Sequence, residues 1–392
     1  MYRTSEDVKG PMVRLLEDLN YRPSKPRIFL KPNIVDAVKP QEAVVVDPVV
    51  TGGLILALYE RGAKEFVIAE GTGFFSREDK NMTHLLETTG YTKLVQTLDK
   101  KYGLDIPLVN LEKAEREEYA WEFGKLLLPK LCRTHAYINI AKLKTHAHTL
   151  VTLTLKNQKG LLRFEDKRNF HRGFQGINAN LHDYIRALGI AVRPELAIID
   201  ATRALEGTGP TTQGEGQTKV RQLNLCIGGT EMNEIDCVGC RIMGIAPAEV
   251  KHLKEVPVQL APRSLPLENA IANPPFQRPE MEVRMGNFRI YELETACTGC
   301  QISLSRTFRK LMFVPELRES FTELIKKNPR VIIIMGKAPP DFVKSIAAQK
   351  CKVLFWGNCL KKDAQIYAKA HVPGCSPDHN DAIKVLLELL KT

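Results

Sequence analysis

Cysteines in the last hundred or so residues are spaced as metal ligands could be. Cys297 and Cys300 form a C-x-x-C pair, and Cys359 and Cys375 follow at longer intervals. A strand-like run precedes each of them, so we expect all four to lie in loops at one edge of a parallel sheet. Four thiolates gathered at one edge can hold a [4Fe–4S] cluster. The pattern therefore predicts an iron–sulfur site.

Two other interpretations of these cysteines stay open. Cys237 and Cys240 form a second C-x-x-C pair, which could join Cys297 and Cys300 in a zinc site. The run around Cys237 also has apolar residues at helical spacing, and free cysteine packs well in a core. All of these cysteines could then be structural. Cys351 lies at the opposite end of its predicted strand and is excluded from the cluster.

A second group of candidate residues lies within residues 141–162, AKLKTHAHTLVTLTLKNQKGLL. Its ammonium and amide groups are donors of the kind that bind carboxylate or phosphate. The intervening TLVTLTL is too apolar for a surface helix, so we expect the lysines to flank a buried segment. Residues 156–160 are predicted to form a loop. The polar residues of this group include Lys142, Lys144, His146, Thr152, Thr154, Lys156, Asn157 and Lys159.

Residues after other predicted strands extend this group. Lys31 and Asn33 follow one strand, Glu70 ends another, and Asp200 and Glu206 lie in a predicted loop after a third. Such groups converging at strand ends would form an anion pocket able to move protons. We predict catalytic roles for Lys144, His146, Lys156 and Glu206, and substrate binding by Lys31, Asn33, Lys142, Asn157, Lys159 and Asp200.

Strand-like and helix-like runs alternate along the chain, which predicts an α/β fold with a mostly parallel sheet. Asp47 and Pro48 are typical of a helix start, so a helix is predicted over 47–63. The proline-rich run 259–284 is aperiodic and predicts a linker. It would separate an α/β domain at 1–258 from a smaller, doubly wound α/β iron–sulfur domain at 285–392.

The charge of the chain points to an anionic partner. The net charge is +11, and eight Lys and Arg between Lys142 and Arg172 face only Glu165 and Asp166. That basic segment lacks interleaved aromatic residues, which disfavours nucleic acid and favours a small anionic ligand. No apolar run reaches the roughly 20 residues of a membrane span. With no apolar leader at the start, we expect a cytoplasmic protein without stable disulfides.

The runs CTGCQISL, GNC and VPGCSP resemble the proximal-cluster pattern of nickel–iron hydrogenase small subunits and of the related quinone-oxidoreductase subunit. The resemblance spans about the last hundred residues. It implies that Cys297, Cys300, Cys359 and Cys375 ligate a [4Fe–4S] cluster. Ser376 stands where that pattern has proline.

Motifs in the first part of the chain resemble the family called domain of unknown function 362. They are KPN, INIAKLKTH, LKNQKG, DATRALEGTGP and EIDCVGCRIMGI, in matching order and spacing over roughly residues 25–255. The resemblance implies an α/β domain that is distantly similar to lactate-racemase-like proteins and is often joined to iron–sulfur modules.

Three functions are consistent with these features. We favour an iron–sulfur oxidoreductase acting on a small anionic substrate, with electrons from a ferredoxin-like partner, since no flavin or nicotinamide fingerprint is evident. The second is a lactate-racemase-like isomerase or lyase. The third is an accessory electron-transfer or cofactor-maturation protein bound to a larger redox enzyme. A homodimer is compatible with all three.

Overall fold

Two sheets, each in its own unit of the chain, form the framework of the protein. The larger unit comprises Met1–Lys167 and His182–Met281, and the smaller comprises Arg168–Leu181 and Glu282–Thr392. The computed structural model describes all residues except 5–7, 72–81, 175–176, 178, 212–217, 280–287, 294–295, 297, 329, 338 and 368.

Ten strands lie in the described part of the larger unit. They are β1 (Tyr2–Arg3), β2 (Arg27–Pro32), β3 (Glu65–Glu70), β4 (Leu108–Asn110), β5 (Arg116–Trp121), β6 (Gly124–Pro129), β7 (Ala136–His146), β8 (Leu150–Thr152), β9 (Leu196–Gly207) and β10 (Thr218–Gly229).

Nine α-helices lie in the described part of residues 1–279. They are α1 (Lys9–Asp18), α2 (Pro48–Glu60), α3 (Met82–Thr88), α4 (Tyr91–Tyr102), α5 (Leu131–Thr134), α6 (Thr154–Asn157), α7 (Phe164–Arg172), α8 (Leu181–Ala191) and α9 (Met232–Ile242).

The main sheet of the larger unit has the strand order β1-β10-β9-β7-β2-β3-β4, with β8 paired to the end of β7. Strands β9, β7, β2, β3 and β4 are mutually parallel. Strands β10 and β1 extend one edge in antiparallel fashion, and β5 and β6 form a separate hairpin. The predicted α/β class with a mostly parallel sheet is confirmed.

The order of the parallel strands places a topological switch point in the centre of the sheet. From β2 the chain moves outward through β3 to β4, and it then returns to add β7 on the opposite side of β2. This reversal of strand order predicts a crevice between β2 and β7, at the carboxyl end of β2. In open α/β sheets this crevice is where ligands bind.

Burial of β7 on both faces explains its composition. All eleven residues of AYINIAKLKTH are buried, including Asn139, Lys142 and Lys144. A doubly covered parallel strand is normally apolar, and buried polar groups must find partners. The polar residues here therefore need specific contacts from neighbouring elements.

Helix α2 begins as predicted. The Asp47 side chain accepts a hydrogen bond from the Val49 N–H (3.0 Å), and Pro48 occupies the first helical position. The apolar side of α2, including Val50 and Leu54, belongs to the same core as Ile28 of β2.

The predicted loop around Asp200 and Glu206 is wrong. Both residues lie within β9, which continues to Gly207 and pairs with β10 in a long antiparallel hairpin. The polar and glycine-rich composition suggested a loop, whereas cross-strand pairing with β10 keeps the segment extended.

The smaller unit is a four-stranded parallel sheet with helices on both faces. Its order is β11-β12-β13-β14, and alternate residues of β12 face different cores. Ile333 packs with Phe321 and Leu386 on one face, whereas Ile334 packs with Val343 on the other.

The strands and helices of the smaller unit follow residue 287. They are β11 (Phe288–Glu292), α10 (Thr298–Phe313), α11 (Pro315–Lys327), β12 (Val331–Met335), α12 (Pro340–Ala347), β13 (Lys352–Trp356), α13 (Lys361–Ile366), β14 (Ala370–Val372) and α14 (His379–Lys391).

None of the helices in the described part of the chain combines the length and the apolar composition that crossing a bilayer requires.

Replacing Phe321 with alanine tests the packing of the smaller unit. Phe321 is fully buried between Phe288 and Phe308, so Phe321→Ala should lower the free energy of unfolding by about 3–5 kcal/mol. Fluorescence of Trp356 in a Trp121→Phe background, followed during urea unfolding, reports on this unit. The control Phe313→Ala changes a 60% exposed ring and should leave the midpoint nearly unchanged. Equal losses in both variants would contradict the assigned core.

Candidate functional site

Polar side chains meet at the switch point, where β2 and β3 end beside the middle of β7. Lys31 lies near the end of β2, Glu70 is the last residue of β3, and α6 brings Asn157 against them. All three are buried. The crevice that the topology predicts is therefore lined by charged and amide groups.

The ammonium group of Lys31 organises the first network. Its Nζ donates to Glu70 Oε2 (2.9 Å) and to Asn157 Oδ1 (3.2 Å). Asn157 Nδ2 donates in turn to Asn139 Oδ1 (2.7 Å), and Asn33 Nδ2 donates to Asn157 Oδ1 (2.8 Å). Burial lowers the pKa of Lys31, and the adjacent Glu70 carboxylate opposes that shift. Residues far apart in sequence are thus tied into one hydrogen-bonded unit.

Gly160 allows the chain after α6 to lie directly on this ion pair. A Cβ at this position would overlap Glu70 Oε1 and Lys31 Nζ. Only a residue without a side chain fits such a close backbone approach. The glycine of LKNQKG is therefore required by the contact with the Lys31–Glu70 pair.

A second buried ion pair joins Lys142 of β7 to Asp200 of β9. Lys142 Nζ donates to Asp200 Oδ2 at 2.7 Å, and both side chains are fully buried. Asp200 Oδ2 also accepts from the Asp47 N–H (2.9 Å), and its Oδ1 accepts from the Thr202 N–H (2.9 Å). The Asp200 carboxylate thereby fixes the start of α2 to the sheet and neutralises Lys142.

Lys144 is buried without a carboxylate partner in the described part of the chain. Its Nζ donates to the Val44 carbonyl oxygen at 2.6 Å. Burial lowers the pKa of Lys144 well below its usual value, and the charges of Lys156 and Lys142 lower it further. A bound anion would reverse this shift by stabilising the ammonium form.

Lys156 is the amine best suited to proton transfer. Although the residue keeps some exposed surface, burial lowers the pKa of its amine to about 7. Within the described residues the amine makes neither a hydrogen bond nor an ion pair. Lys159 follows nearby, and burial together with the charges of Lys156 and Lys167 lowers the pKa of Lys159 well below its usual value.

Comparison with known proteins identifies the family of the larger unit. The model of the domain of unknown function DUF362 matches residues 28–241, which is more than half of the chain. The chain belongs to the DUF362 family. All the lysines, amides and carboxylates described above lie inside the matched range, so the crevice is a feature of the DUF362 domain.

The chain is also similar to the thylakoid-associated protein sll1697 of Synechocystis. The two are 27% identical over 226 residues, which is 57% of this chain and 65% of that protein. The chain therefore matches less than two thirds of the relative's own length.

The position of Lys156 in the DUF362 domain depends on Asp236, which the sequence interpretation did not identify. Asp236 of α9 accepts hydrogen bonds from Thr154 Oγ1 (2.6 Å), the Thr154 N–H (2.8 Å) and the Leu155 N–H (3.0 Å). Burial raises the pKa of Asp236 to about 7, and these hydrogen bonds oppose that shift. The run EIDCVGC had drawn attention to its cysteines, whereas its aspartate holds the start of α6.

The predicted loop at 156–160 is wrong, because Asp236 stabilises a helix there. The segment forms the short helix α6 followed by a 3₁₀ turn over Gln158–Leu161. Asp236 satisfies N–H groups at the start of α6 that would otherwise lack acceptors, which stabilises a helical turn. Lys156 and Asn157 are consequently held on a structured element.

Two predicted catalytic residues, His146 and Glu206, make the following contacts. His146 ends β7, and its Nδ1 accepts from the His148 N–H (3.0 Å), so that nitrogen carries no proton. Glu206 accepts from Arg221 (2.9 Å) and from the Gln277 N–H (3.1 Å). The Glu206 contacts are those of a structural ion pair, and their partners differ from those of the Lys31 network.

Cys237 and Cys240 lie on α9 in the core of the DUF362 domain. Both side chains are fully buried, and burial raises the pKa of both thiols. A zinc ligand must be a thiolate, so these surroundings favour the structural interpretation.

In the smaller unit, Cys300 is buried in α10, whereas Cys359 and Cys375 are exposed. A Cβ at Gly357 would lie 3.1 Å from Cys300 Sγ and 3.6 Å from the Gly374 carbonyl oxygen. The segments that carry the three cysteines therefore adjoin at the ends of β13 and β14. Among the described residues no three His, Cys, Asp or Glu side chains are close enough to hold a metal.

Cys297, the fourth predicted ligand, lies outside the described residues.

Substitution of Gly160 tests the contact with the buried ion pair. Gly160→Ala should separate Lys31 from Glu70 and lower the free energy of unfolding of the larger unit by about 3 kcal/mol or more. Urea unfolding followed by Trp121 fluorescence, in a Trp356→Phe background, measures the loss. As a control, Gly103→Ala introduces only left-handed backbone strain, roughly 1 kcal/mol, because open space surrounds that glycine. A smaller loss for Gly160→Ala than for the control would refute the close approach.

Proposed function

We propose that the DUF362 domain binds a small anionic substrate, a carboxylate or phosphate, at the switch-point crevice and transfers a proton through Lys156. We further propose that the smaller unit carries a [4Fe–4S] cluster, which makes the protein an iron–sulfur oxidoreductase. The observation that carries the proposal is the Lys156 amine, partly buried and unpaired in the described chain, with a pKa of about 7.

The charge balance of the crevice supports an anionic substrate. Glu70 pairs with Lys31 and Asp200 pairs with Lys142, so these two lysines are already compensated. Lys144 and Lys156 lack such a partner among the described residues. Burial destabilises the charged form of both amines. An anion placed between these amines would replace lost hydration with charge-assisted hydrogen bonds.

The lowered pKa of Lys156 supports proton transfer. A general acid or base works best when its pKa is close to the ambient pH, because both protonation states are then populated. Lysine reaches this range only when its charged form is destabilised, which burial achieves here. The hydrogen bonds from α6 to Asp236 keep the backbone beside Lys156 in place.

Two glycines at the ends of β13 and β14 support the iron–sulfur proposal. Gly357 leaves room for the Cys300 sulfur, and the Gly374 N–H is fixed by Asn358 Oδ1 at 2.8 Å. Cys300 would supply one thiolate ligand. Cys297, Cys359 and Cys375 would supply the other three, as the hydrogenase-like pattern implies. A bound cluster of this kind would supply one-electron transfer, and a ferredoxin-like protein would be the natural electron donor.

A non-redox isomerase or lyase is the second candidate. Lys156 could exchange a proton with a bound acid without any electron donor, and the geometry of the DUF362 domain is sufficient for that step. The two functions differ in their products, because only the oxidoreductase changes the hydrogen content of the substrate.

Lys156→Met should make anion binding weaker and less dependent on pH. Because the pKa of Lys156 lies below its usual value, the amine is charged below pH of about 7 and loses its charge as the pH rises through that value. Sulfate affinity should therefore fall over this interval in the wild type. Lys156→Met should lose roughly tenfold in affinity on the acidic side and show a weaker dependence on pH.

Calorimetric titration with sulfate, whose own charge is constant over this range, provides the measurement. The exposed Lys101 at the end of α4 offers the matched control, since Lys101→Met removes one positive charge outside the crevice. Identical profiles for the wild type and Lys156→Met would exclude the assigned role.

Cys300→Ser should lose most of the iron that the protein binds. The measurement is metal analysis of anaerobically purified protein, together with EPR of the reduced sample. Cys351→Ser is the control, because Cys351 precedes β13 and so lies at the opposite end of that strand from Cys359. Equal iron in both variants would show that Cys300 is not a ligand.

A further inference from the structure

Asn33 presents a buried acceptor that the protein does not use. Its backbone is satisfied, since its N–H donates to the Ile140 carbonyl (2.9 Å) and its own carbonyl accepts from the Val46 N–H (3.0 Å). Its side chain is only 4% exposed. The side-chain Oδ1 has no hydrogen-bond partner in the described part of the chain.

The orientation of the Asn33 amide is fixed by its neighbours. Lys31 Nζ can only donate, so the Asn157 atom that it contacts at 3.2 Å must be oxygen. The Asn33 atom that lies 2.8 Å from this oxygen must then be nitrogen. Rotating the amide by half a turn would place two oxygens together. Asn33 Oδ1 is therefore an acceptor that points away from Asn157.

A buried acceptor such as Asn33 Oδ1 lowers the stability of the folded protein unless a ligand donates a hydrogen bond to it. A buried acceptor without a donor destabilises a protein, and native structures contain few of them. Lys144 lies nearby, since its Nζ donates to the Val44 carbonyl oxygen and the Val46 N–H donates to the Asn33 carbonyl oxygen. Its buried amine carries no carboxylate partner in the described chain, so an anion would stabilise it. The site thus combines donors for a negative group with an acceptor for a hydrogen-bond donor.

A second unsatisfied polar atom lies next to Lys144. Thr152 of β8 is opposite Lys144 in the antiparallel pairing with β7, and its buried Oγ1 has no partner among the described residues. The Thr152 hydroxyl can donate or accept a hydrogen bond, so it could contact either the negative group or the hydrogen-bond donor of the ligand. Thr152 Oγ1 therefore adds, beside Lys144, a second polar atom that a ligand could satisfy.

We propose that Asn33 Oδ1 accepts a hydrogen bond from an O–H group of the ligand, and that the protein selects anions that carry a hydroxyl. This inference rests on the proposed anion site and narrows its substrate class. An ammonium donor is disfavoured, because it would meet the positive charges of Lys144 and Lys156. Two chemical sources share the required features: hydrogen phosphate and hydroxycarboxylates.

Matched pairs of anions test this selection on the wild-type protein. Hydrogen phosphate and sulfate have the same tetrahedral shape, but only hydrogen phosphate carries an O–H near neutral pH. Glycolate and acetate form the corresponding pair of carboxylates. Calorimetry or ligand-observed NMR should show roughly tenfold tighter binding of the hydroxylated member in at least one pair. The pair that shows the preference identifies the source.

Asn33→Ala should abolish the preference while anion binding persists. Asn157 would still be held by Lys31 and Asn139, so the crevice should keep its shape. Equal affinities within both pairs in the wild type, or an undiminished preference in Asn33→Ala, would overturn the inference while leaving the anion site intact. If none of the four anions binds in a Lys156-dependent manner, the proposed function fails as well.

Discussion

The Lys31 ammonium group, enclosed at the centre of the sheet, is the constraint on which the crevice depends. A buried charge must be compensated, and here Glu70 supplies the compensation at 2.9 Å. Because an ammonium can only donate, it also fixes the amide of Asn157 and, through it, the amides of Asn139 and Asn33. One cation therefore sets the hydrogen-bond polarity of three asparagines.

The remaining lysines divide by whether the fold compensates them. Lys142 is neutralised by Asp200, which also fixes the start of α2, so this pair is part of the scaffold. Lys144 and Lys156 stay without a carboxylate in the described chain, and their pKa values fall accordingly. Uncompensated amines lower stability, and proteins retain such groups chiefly at functional sites. The distinction separates the scaffold of the DUF362 domain from its proposed chemistry.

The smaller unit repeats the same architectural principle with different residues. Its strands are parallel and doubly covered, so the ends of β13 and β14 again present loops to a common edge. Here those loops carry cysteines and glycines, and the proposed occupant is an inorganic cluster. Each unit thus has its proposed site where parallel strands end, since that is where backbone groups are free to turn toward a ligand.

Local pattern alone determined the alternating strands and helices, the parallel sheet, the start of α2 at Asp47 and the family. Buried strands need apolar residues, helix starts need caps, and both signals lie within a few residues. The sequence also predicted that Lys31, Asn33 and Asn157 would share one site, although Asn157 lies on α6 and not in the predicted loop.

Only the tertiary structure decided which charges are paired. Lys31 meets Asn157 across 126 residues and Lys142 meets Asp200 across 58, and no local pattern records such contacts. Asp236 is a further example, because its hydrogen bonds to the start of α6 stabilise a helical turn where a loop was predicted. Likewise, pairing with β10 keeps Glu206 in a strand. Charge compensation and hydrogen bonding act between atoms that are close in space, so their outcome depends on the packed fold.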